Sequence, residues 1–221
     1  MRIKNHYLVF DTETINTDTP YVYDIGGAIV DREGNVYETF SFVIKEMWAD
    51  YLPLLRSAYF KNKLPNYMVD LLESSRELVT YYQAKTYIKE LCEKWNVKAI
   101  MAHNARFDYK ATRITQELLT DGKYSSFLPY GIELWDTMKM AQDVIATKKS
   151  YINFCKENGY MTGHATPRPQ LKAEVLYRYI SGNNEFIESH TGLEDVLIEK
   201  EIFAYCVKQK KAMRRKLFEE K

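Results

Sequence analysis

Three strand-like runs within the first 44 residues, the last two joined by a tight polar turn, constrain this fold more than any other feature of the sequence. Tyr7 to Phe10 is wholly apolar, Val22 to Val30 carries Gly26-Gly27 at its centre, and Tyr37 to Ile44 alternates aromatic and β-branched residues. Such runs favour extended backbone, where branched and aromatic side chains pack well on a pleated surface. Between the second and third lies Asp31-Arg-Glu-Gly-Asn35, a turn cluster that closes an antiparallel hairpin. After Lys45 the period changes from two to that of helices.

Residues 46–75 hold Trp48, Tyr51, Tyr59, Phe60 and Tyr67, interrupted by Pro53 and Pro65, and read as short helices and loops. Thr80 to Trp95 places Tyr81, Ala84, Ile88 and Leu91 on one helical face. Lys98 to Ala102 reads as a buried strand feeding a helix from Ala105 to Leu119, which Asp121-Gly122 ends. Ile132 to Trp135 is the last strand expected, and nearly everything beyond it is expected to be helical. Hairpin strands followed by alternating helices and strands imply an α/β fold, a mixed sheet flanked by helices. The 221 residues, 46% hydrophobic, suffice for one core. We expect one domain over 1–205, with 206–221 as its basic C-terminal helix extension.

A net charge of +1 neither advertises nor excludes a polyanionic partner, so a nucleic-acid groove would depend on local placement of Lys and Arg. Cys92, Cys155 and Cys206 are odd in number and far apart, a pattern of reduced thiols. With no signal-peptide pattern at Met1-Arg-Ile-Lys-Asn-His6 and no membrane-length apolar run, the expectation is a soluble, cytoplasmic protein without a membrane partner.

Acidic residues in three segments carry the chemistry. Asp11 and Glu13 close the first apolar run in Asp11-Thr-Glu13, and the strand period of two turns both carboxylates to one face. A second Asp-x-Glu, Asp31-Arg-Glu33, belongs to the hairpin turn. The plain alternative for the first is a solvated strand end. Asp108 ends His103-Asn-Ala-Arg-Phe-Asp108, where a strand meets a helix; Asn104 as N-cap with Asp108 in the first turn is its ordinary structural reading. Asp195 ends His190-Thr-Gly-Leu-Glu-Asp195. Histidine followed five residues later by Asp also occurs at His6 and His103, so spacing does not single out His190. Its context does: Thr191 and Glu194 form a capping-box pattern that puts His190 just before a helix and Asp195 in the first turn. Gathered carboxylates repel one another unless cations sit among them. Oxygen ligands favour Mg²⁺ or Mn²⁺, so the set suggests a two-metal nuclease.

In order and surroundings these segments resemble the three motifs of the DnaQ-like DEDD 3′→5′ exonucleases, histidine (DEDDh) subgroup. The resemblance covers roughly residues 6–205. Tyrosine in place of Thr191 would mark the other subgroup. The resemblance implies a ribonuclease-H-like fold and release of nucleoside 5′-monophosphates from single-stranded or frayed DNA ends. It also implies roles: Asp11 bridges two metals, Glu13 and Asp195 complete the first, Asp108 holds the second, and His190 is the general base. Thr12, Thr14, Asn104 and Phe107 are then expected to contact substrate. The same fold would serve an RNA-trimming exoribonuclease, which a 2′-OH contact separates. From another class stands a non-catalytic nucleic-acid-binding or polymerase-associated module. A polymerase or repair partner would act in trans.

Other features carry less. Asp136 in Trp135-Asp-Thr-Met-Lys-Met140 is expected to cap a helix or support the site. Lys208 to Lys216 is a basic helix end that either follows a phosphate backbone or answers the helix dipole. Arg168 and Lys172 are candidate phosphate contacts. Phe107, Tyr109 and the aromatics of 46–75 are candidates for base stacking, with core packing as the alternative. Cys155 and His164 lack partners at metal-ligand spacing, so no zinc site is assigned.

Overall fold

The computed structural model describes residues 4–218. Its centre is a six-stranded sheet in the order β4-β3-β2-β1-β5-β6. Strands β1 (Tyr7–Thr14), β2 (Val22–Val30) and β3 (Val36–Ile44) pair antiparallel. The expected turn joins the last two, with Asp31 Oδ1 accepting from the main-chain N–H groups of Glu33 and Asn35. Strands β5 (Ala99–Ala102) and β6 (Glu133–Asp136) extend the sheet in parallel from β1. On the other edge, β4 (Glu77–Val79) pairs parallel with β3. The sequence reading missed it, because three half-exposed residues carry no periodic signal.

Alternation along β1 divides the core. Leu8 and Phe10 join one apolar cluster with α4 (Tyr81–Lys94), α5 (Arg106–Leu119) and the short helices α1 (Lys45–Ala49), α2 (Leu52–Leu55) and α3 (Leu64–Leu72). Tyr7 and Val9 join the opposite cluster with α6 (Thr137–Val144), α7 (Lys149–Glu157), α8 (Ala173–Ser181) and α9 (Gly192–Lys208). The architecture is the expected mixed sheet between two helical layers, and the hairpin and the helices over 80–95 and 105–119 fall where periodicity placed them. All three cysteines are buried and free. Among the described residues, no helix is long and apolar enough to cross a membrane.

Three expectations need correction. Among the described residues, the C-terminal extension is helical only at its start: α9 stops at Lys208, and Lys210 takes a left-handed φ of 51°. The segment then runs antiparallel along β6, Asp136 N–H donating to Arg215 O and Leu217 N–H to Leu134 O, both at 2.7 Å. A run such as Lys208-Gln-Lys-Lys has no apolar face to dock as a helix, whereas an edge strand offers unpaired main-chain groups. Its cations face acids: Arg214 pairs with Asp143 and Lys216 with Glu133. The stretch beyond β6 is also less helical than expected, since 158–172 and 182–191 are loops. At α9, Thr191 is the N-cap, yet its hydroxyl donates to the Glu194 carboxylate, 2.5 Å away, instead of accepting from the backbone. The reciprocal capping box lies at α4, where Thr80 and Gln83 satisfy each other's main-chain N–H groups.

Candidate active site

Because Asp11 and Glu13 share the face of Tyr7 and Val9, they point toward the layer that contains α9. The first turn of α9 brings Asp195 to the same place, with His190 on its approach. The helix can come this close only because glycine meets glycine. A Cβ at Gly26 would lie 2.1 Å from the Gly192 carbonyl carbon and from the Leu193 nitrogen, and one at Gly192 would lie 2.5 Å from the Gly26 nitrogen. Asp24 on β2 fixes the same helix end, its Oδ2 accepting from Gly192 N–H at 2.9 Å and from Tyr67 O–H at 2.7 Å. Arg76 neutralises this wholly buried acid at 3.3 Å, while also pairing with Asp70 and Glu194 and lying over the Tyr67 ring. The 46–75 segment is thereby tied to α9.

Asp108 arrives from the first turn of α5, around the C-terminal ends of β1 and β5. Its Oδ1 accepts from both the main-chain N–H (3.1 Å) and the hydroxyl (2.8 Å) of Thr12, the residue between the two β1 acids that faces the α5 side. The Thr12 hydroxyl is thus buried and committed to Asp108. Thr14 is likewise buried, its hydroxyl facing Asn16 O at 3.3 Å. Asn104 is exposed at φ 66° in the β5–α5 turn, and Phe107 is half-buried one helical turn on. Asn104 does not cap α5 through its side chain: Ala105 occupies that position, and the Asn104 N–H donates to Asp136. Asp136 caps α6 by accepting from Met138 N–H at 2.9 Å, so one carboxylate braces two turns at this end of the sheet.

One ligand atom each from Glu13, His190 and Asp195 lies within 4.8 Å of the others. The His190 ring stacks on Phe60, centroids 4.7 Å apart and planes 18° from parallel, and Nδ1 lies 3.7 Å from Glu188 Oε2. Lys63 donates to the carbonyls of Ser189 and His190, so the 46–75 segment supports the histidine as well. Tyr59 is largely exposed, while Tyr67 belongs to the core. The other histidines are engaged elsewhere: His6 packs edge-on against Tyr37 and Trp95, and His103 bridges Thr137 Oγ1 and Leu171 O. Arg168, Lys172 and His164 are exposed, and the Lys172 charge acts on the cluster, lowering the pKa of both Glu188 and His190.

The carboxylates are held out of their ordinary ionisation range. Burial, then repulsion from Glu199, Asp108, Glu13 and Asp195, raises Asp11 well above the usual carboxylate value. Burial, then Asp195 and Asp24, raises Glu13, with Lys63 opposing. Burial lifts Asp108 to about 7 against the Thr12 hydrogen bonds, and burial with Glu188 lifts Asp195 to about 8 against Lys63. His190 is shifted the other way, lowered by burial and by Lys63, which favours the neutral, basic imidazole at pH 7. Three buried carboxylate oxygens, Asp24 Oδ1, Asp195 Oδ1 and Glu199 Oε2, have no hydrogen-bond partner. Buried polar atoms are normally satisfied. Mutually repelling acids with orphaned oxygens fit a divalent cation, and carboxylate oxygen donors suit Mg²⁺ or Mn²⁺. Glu199, buried on α9, is the acid absent from the sequence reading. Its signal was the i, i+4 spacing from Asp195, which puts both on one helix face.

No protein-family model matches the chain, and no curated protein matches it. Among solved structures it is similar to exonuclease I from Methylocaldum szegediense, with a TM-score of 0.54 and 18% identity over 94% of this chain and 41% of that one. A product-bound exonuclease I gives 0.54 at 16% identity, covering 93% and 44%. E. coli exonuclease I in complex with a 5cy-dT13 oligonucleotide gives 0.56 at 16%, covering 94% and 41%. The chain therefore spans less than half the length of these proteins. The likeness is one of fold: a six-stranded mixed sheet between helical layers, ribonuclease-H-like as in the exonucleases.

Proposed function

We propose that this chain is a metal-dependent 3′→5′ exonuclease of the DEDDh type, releasing nucleoside 5′-monophosphates from single-stranded or frayed DNA ends. The observation that carries the reading is the convergence of Asp11, Glu13, Asp108 and Asp195, from three distant segments, with His190 beside them. The fold shared with DNA-bound exonuclease I is consistent with it.

Asp11, Glu13, Asp108 and Asp195 would hold Mg²⁺ or Mn²⁺, which when bound supplies positive charge for the scissile phosphate and lowers the pKa of water. His190 acts as general base, taking the proton of the attacking water at a ring nitrogen. Its lowered pKa keeps that nitrogen unprotonated at neutral pH. Stacking on Phe60 restrains the ring plane, and Glu188 beside Nδ1 favours a proton there, leaving Nε2 as the base. Thr12 orients Asp108, while Asn104 and Phe107 at the open end of the sheet contact the terminal nucleotide.

The test uses 3′- and 5′-labelled single-stranded DNA and RNA of one sequence with Mg²⁺, Mn²⁺ or EDTA. The expected result is a ladder shortening from the 3′ end, lost with EDTA and in Asp11→Ala, strongly reduced in His190→Ala, and faster on DNA. Preference for the ribo-oligomer would move the substrate to RNA. Absence of nucleotide release by folded protein would overturn the enzymatic reading.

A further inference from the structure

We propose that the C-terminal segment is part of the scaffold of the site, with Leu217 as a positioning residue for Asp108. The inference rests on the metal-dependent reading above and extends it to a segment outside the three motifs.

The end of the segment packs around the turn that carries Asp108. Leu217 is 2% exposed and clusters with Ala102, the last residue of β5, and Ala105, the N-cap of α5. Those two alanines bracket the turn that delivers Asp108 into the first turn of α5. Phe218 meets the ring of Tyr109, the residue after Asp108, edge-on with centroids 5.2 Å apart. Leu217 and Asp108 also line one internal gap of about 10 Å³, together with Phe10, Ala105, Tyr109 and Leu134. A space that small holds no side chain, and close-packed walls pass displacement from one to another.

Hydrogen bonds tie the segment to the same place. Arg215 O accepts from Asp136 N–H at 2.7 Å, and the Asp136 carboxylate accepts from Asn104 N–H in the turn before α5. Lys139 Nζ, from α6, donates to the adjacent carbonyls of Lys216 and Leu217 at 3.0 and 3.1 Å. The basic residues of the run serve this docking, Arg214 on Asp143, Lys216 on Glu133 and Arg215 over the Trp135 ring. Main-chain bonds alone would close the open edge of β6. The lysine clamp and the buried leucine act instead at the end that meets α5. Thr12 holds the Asp108 carboxylate from β1, and Leu217 backs its turn from the β6 side. A carboxylate that holds a cation must keep its place to within about 0.5 Å.

The experiment compares wild type with Leu217→Ala, Leu217→Met, Lys139→Met and a core control on α4, Leu91→Ala, whose leucine is 3% exposed. Each is studied at a temperature where circular dichroism shows it folded. The readouts are single-turnover cleavage of labelled single-stranded DNA in Mn²⁺, Mn²⁺ affinity by calorimetry, and amide hydrogen exchange over 103–109 in EDTA. In Leu217→Ala the expected result is cleavage slowed at least about tenfold, weaker Mn²⁺ binding and faster exchange over 103–109. Leu217→Met, which conserves volume, should restore all three. Leu91→Ala should lower the unfolding temperature comparably and leave all three near wild type. Lys139→Met removes the clamp while keeping an unbranched side chain; it should move the readouts in the same direction as Leu217→Ala, and it decides the matter if Leu217→Ala does not fold. Wild-type cleavage and exchange in Leu217→Ala, or equal changes in Leu91→Ala, would overturn the inference. Absence of nucleotide release by wild type would remove the proposed function. Faster exchange and weaker Mn²⁺ binding in Leu217→Ala would then still leave Leu217 positioning Asp108, and unchanged values would overturn that as well.

Discussion

Gly26→Ala tests whether the approach of α9 to β2 sets the site. The added methyl would lie 2.1 Å from the Gly192 carbonyl carbon and the Leu193 nitrogen, where ordinary contact begins at 3.4 Å. Both obstacles are backbone, so no rotamer change relieves them, and the start of α9 must retreat by about 1.3 Å. Forced backbone shifts of this kind cost about 1–3 kcal/mol. Retreat also lengthens the buried bond from Gly192 N–H to Asp24, whose charged acceptor makes it worth about 1.5–3 kcal/mol. The combined loss of about 3–5 kcal/mol corresponds to roughly a 10 °C drop in Tm for a chain of this size. Asp195 and His190 move with the helix end, and misplacement by about 1 Å lowers turnover about 100-fold. Gly163→Ala is the control, because a Cβ there meets nothing within 4 Å and its φ is not in the left-handed region. Thermal unfolding by circular dichroism and single-turnover cleavage of labelled single-stranded DNA provide the readouts. A Gly26→Ala protein within 2 °C of Gly163→Ala, with equal turnover, would refute the close-approach argument.

Arg76→Met should lower stability by about 3–5 kcal/mol in urea titrations, because it leaves the buried Asp24 carboxylate without its cation; Arg76→Met with Asp24→Asn should recover part of that loss. In EDTA the unfolding temperature should fall as pH rises from about 5 to 8. Asp108 and Asp195, raised to about 7 and about 8, bind protons in the folded state across that window that the unfolded chain has released. Their stabilising contribution is complete below the unfolded pKa and lost as pH passes the folded values, and excess Mg²⁺ should flatten the fall; a Tm rising with pH in EDTA would contradict this. Phe60→Ala removes the ring stacked on His190 and should reduce turnover more than it reduces Mn²⁺ binding, while Phe60→Tyr should retain most activity.

The sequence alone determined the hairpin, the helices over 80–95 and 105–119, and the common face of Asp11 and Glu13. Each follows from short-range periodicity, which strand and helix geometry convert directly into faces. It also marked Asp108, where a change of period shows a strand meeting a helix, and His190 with Asp195, through the helix-start pattern at Thr191 and Glu194. Only the tertiary structure decided what lies across from those faces. The glycine pair at 26 and 192 is a contact between backbones 166 residues apart, and no local pattern encodes which strand a helix will cross. Phe60 and Lys63 reach the His190 loop because Asp24 and Arg76 tie their segment to α9. Glu199 is one helical acid among many in the sequence, and only packing buries it with Oε2 unpartnered. The basic C-terminal run shows the same limit in reverse. Its composition suited a helix end, but the open edge of β6 offered main-chain hydrogen bonds and nearby carboxylates that a free helix could not match.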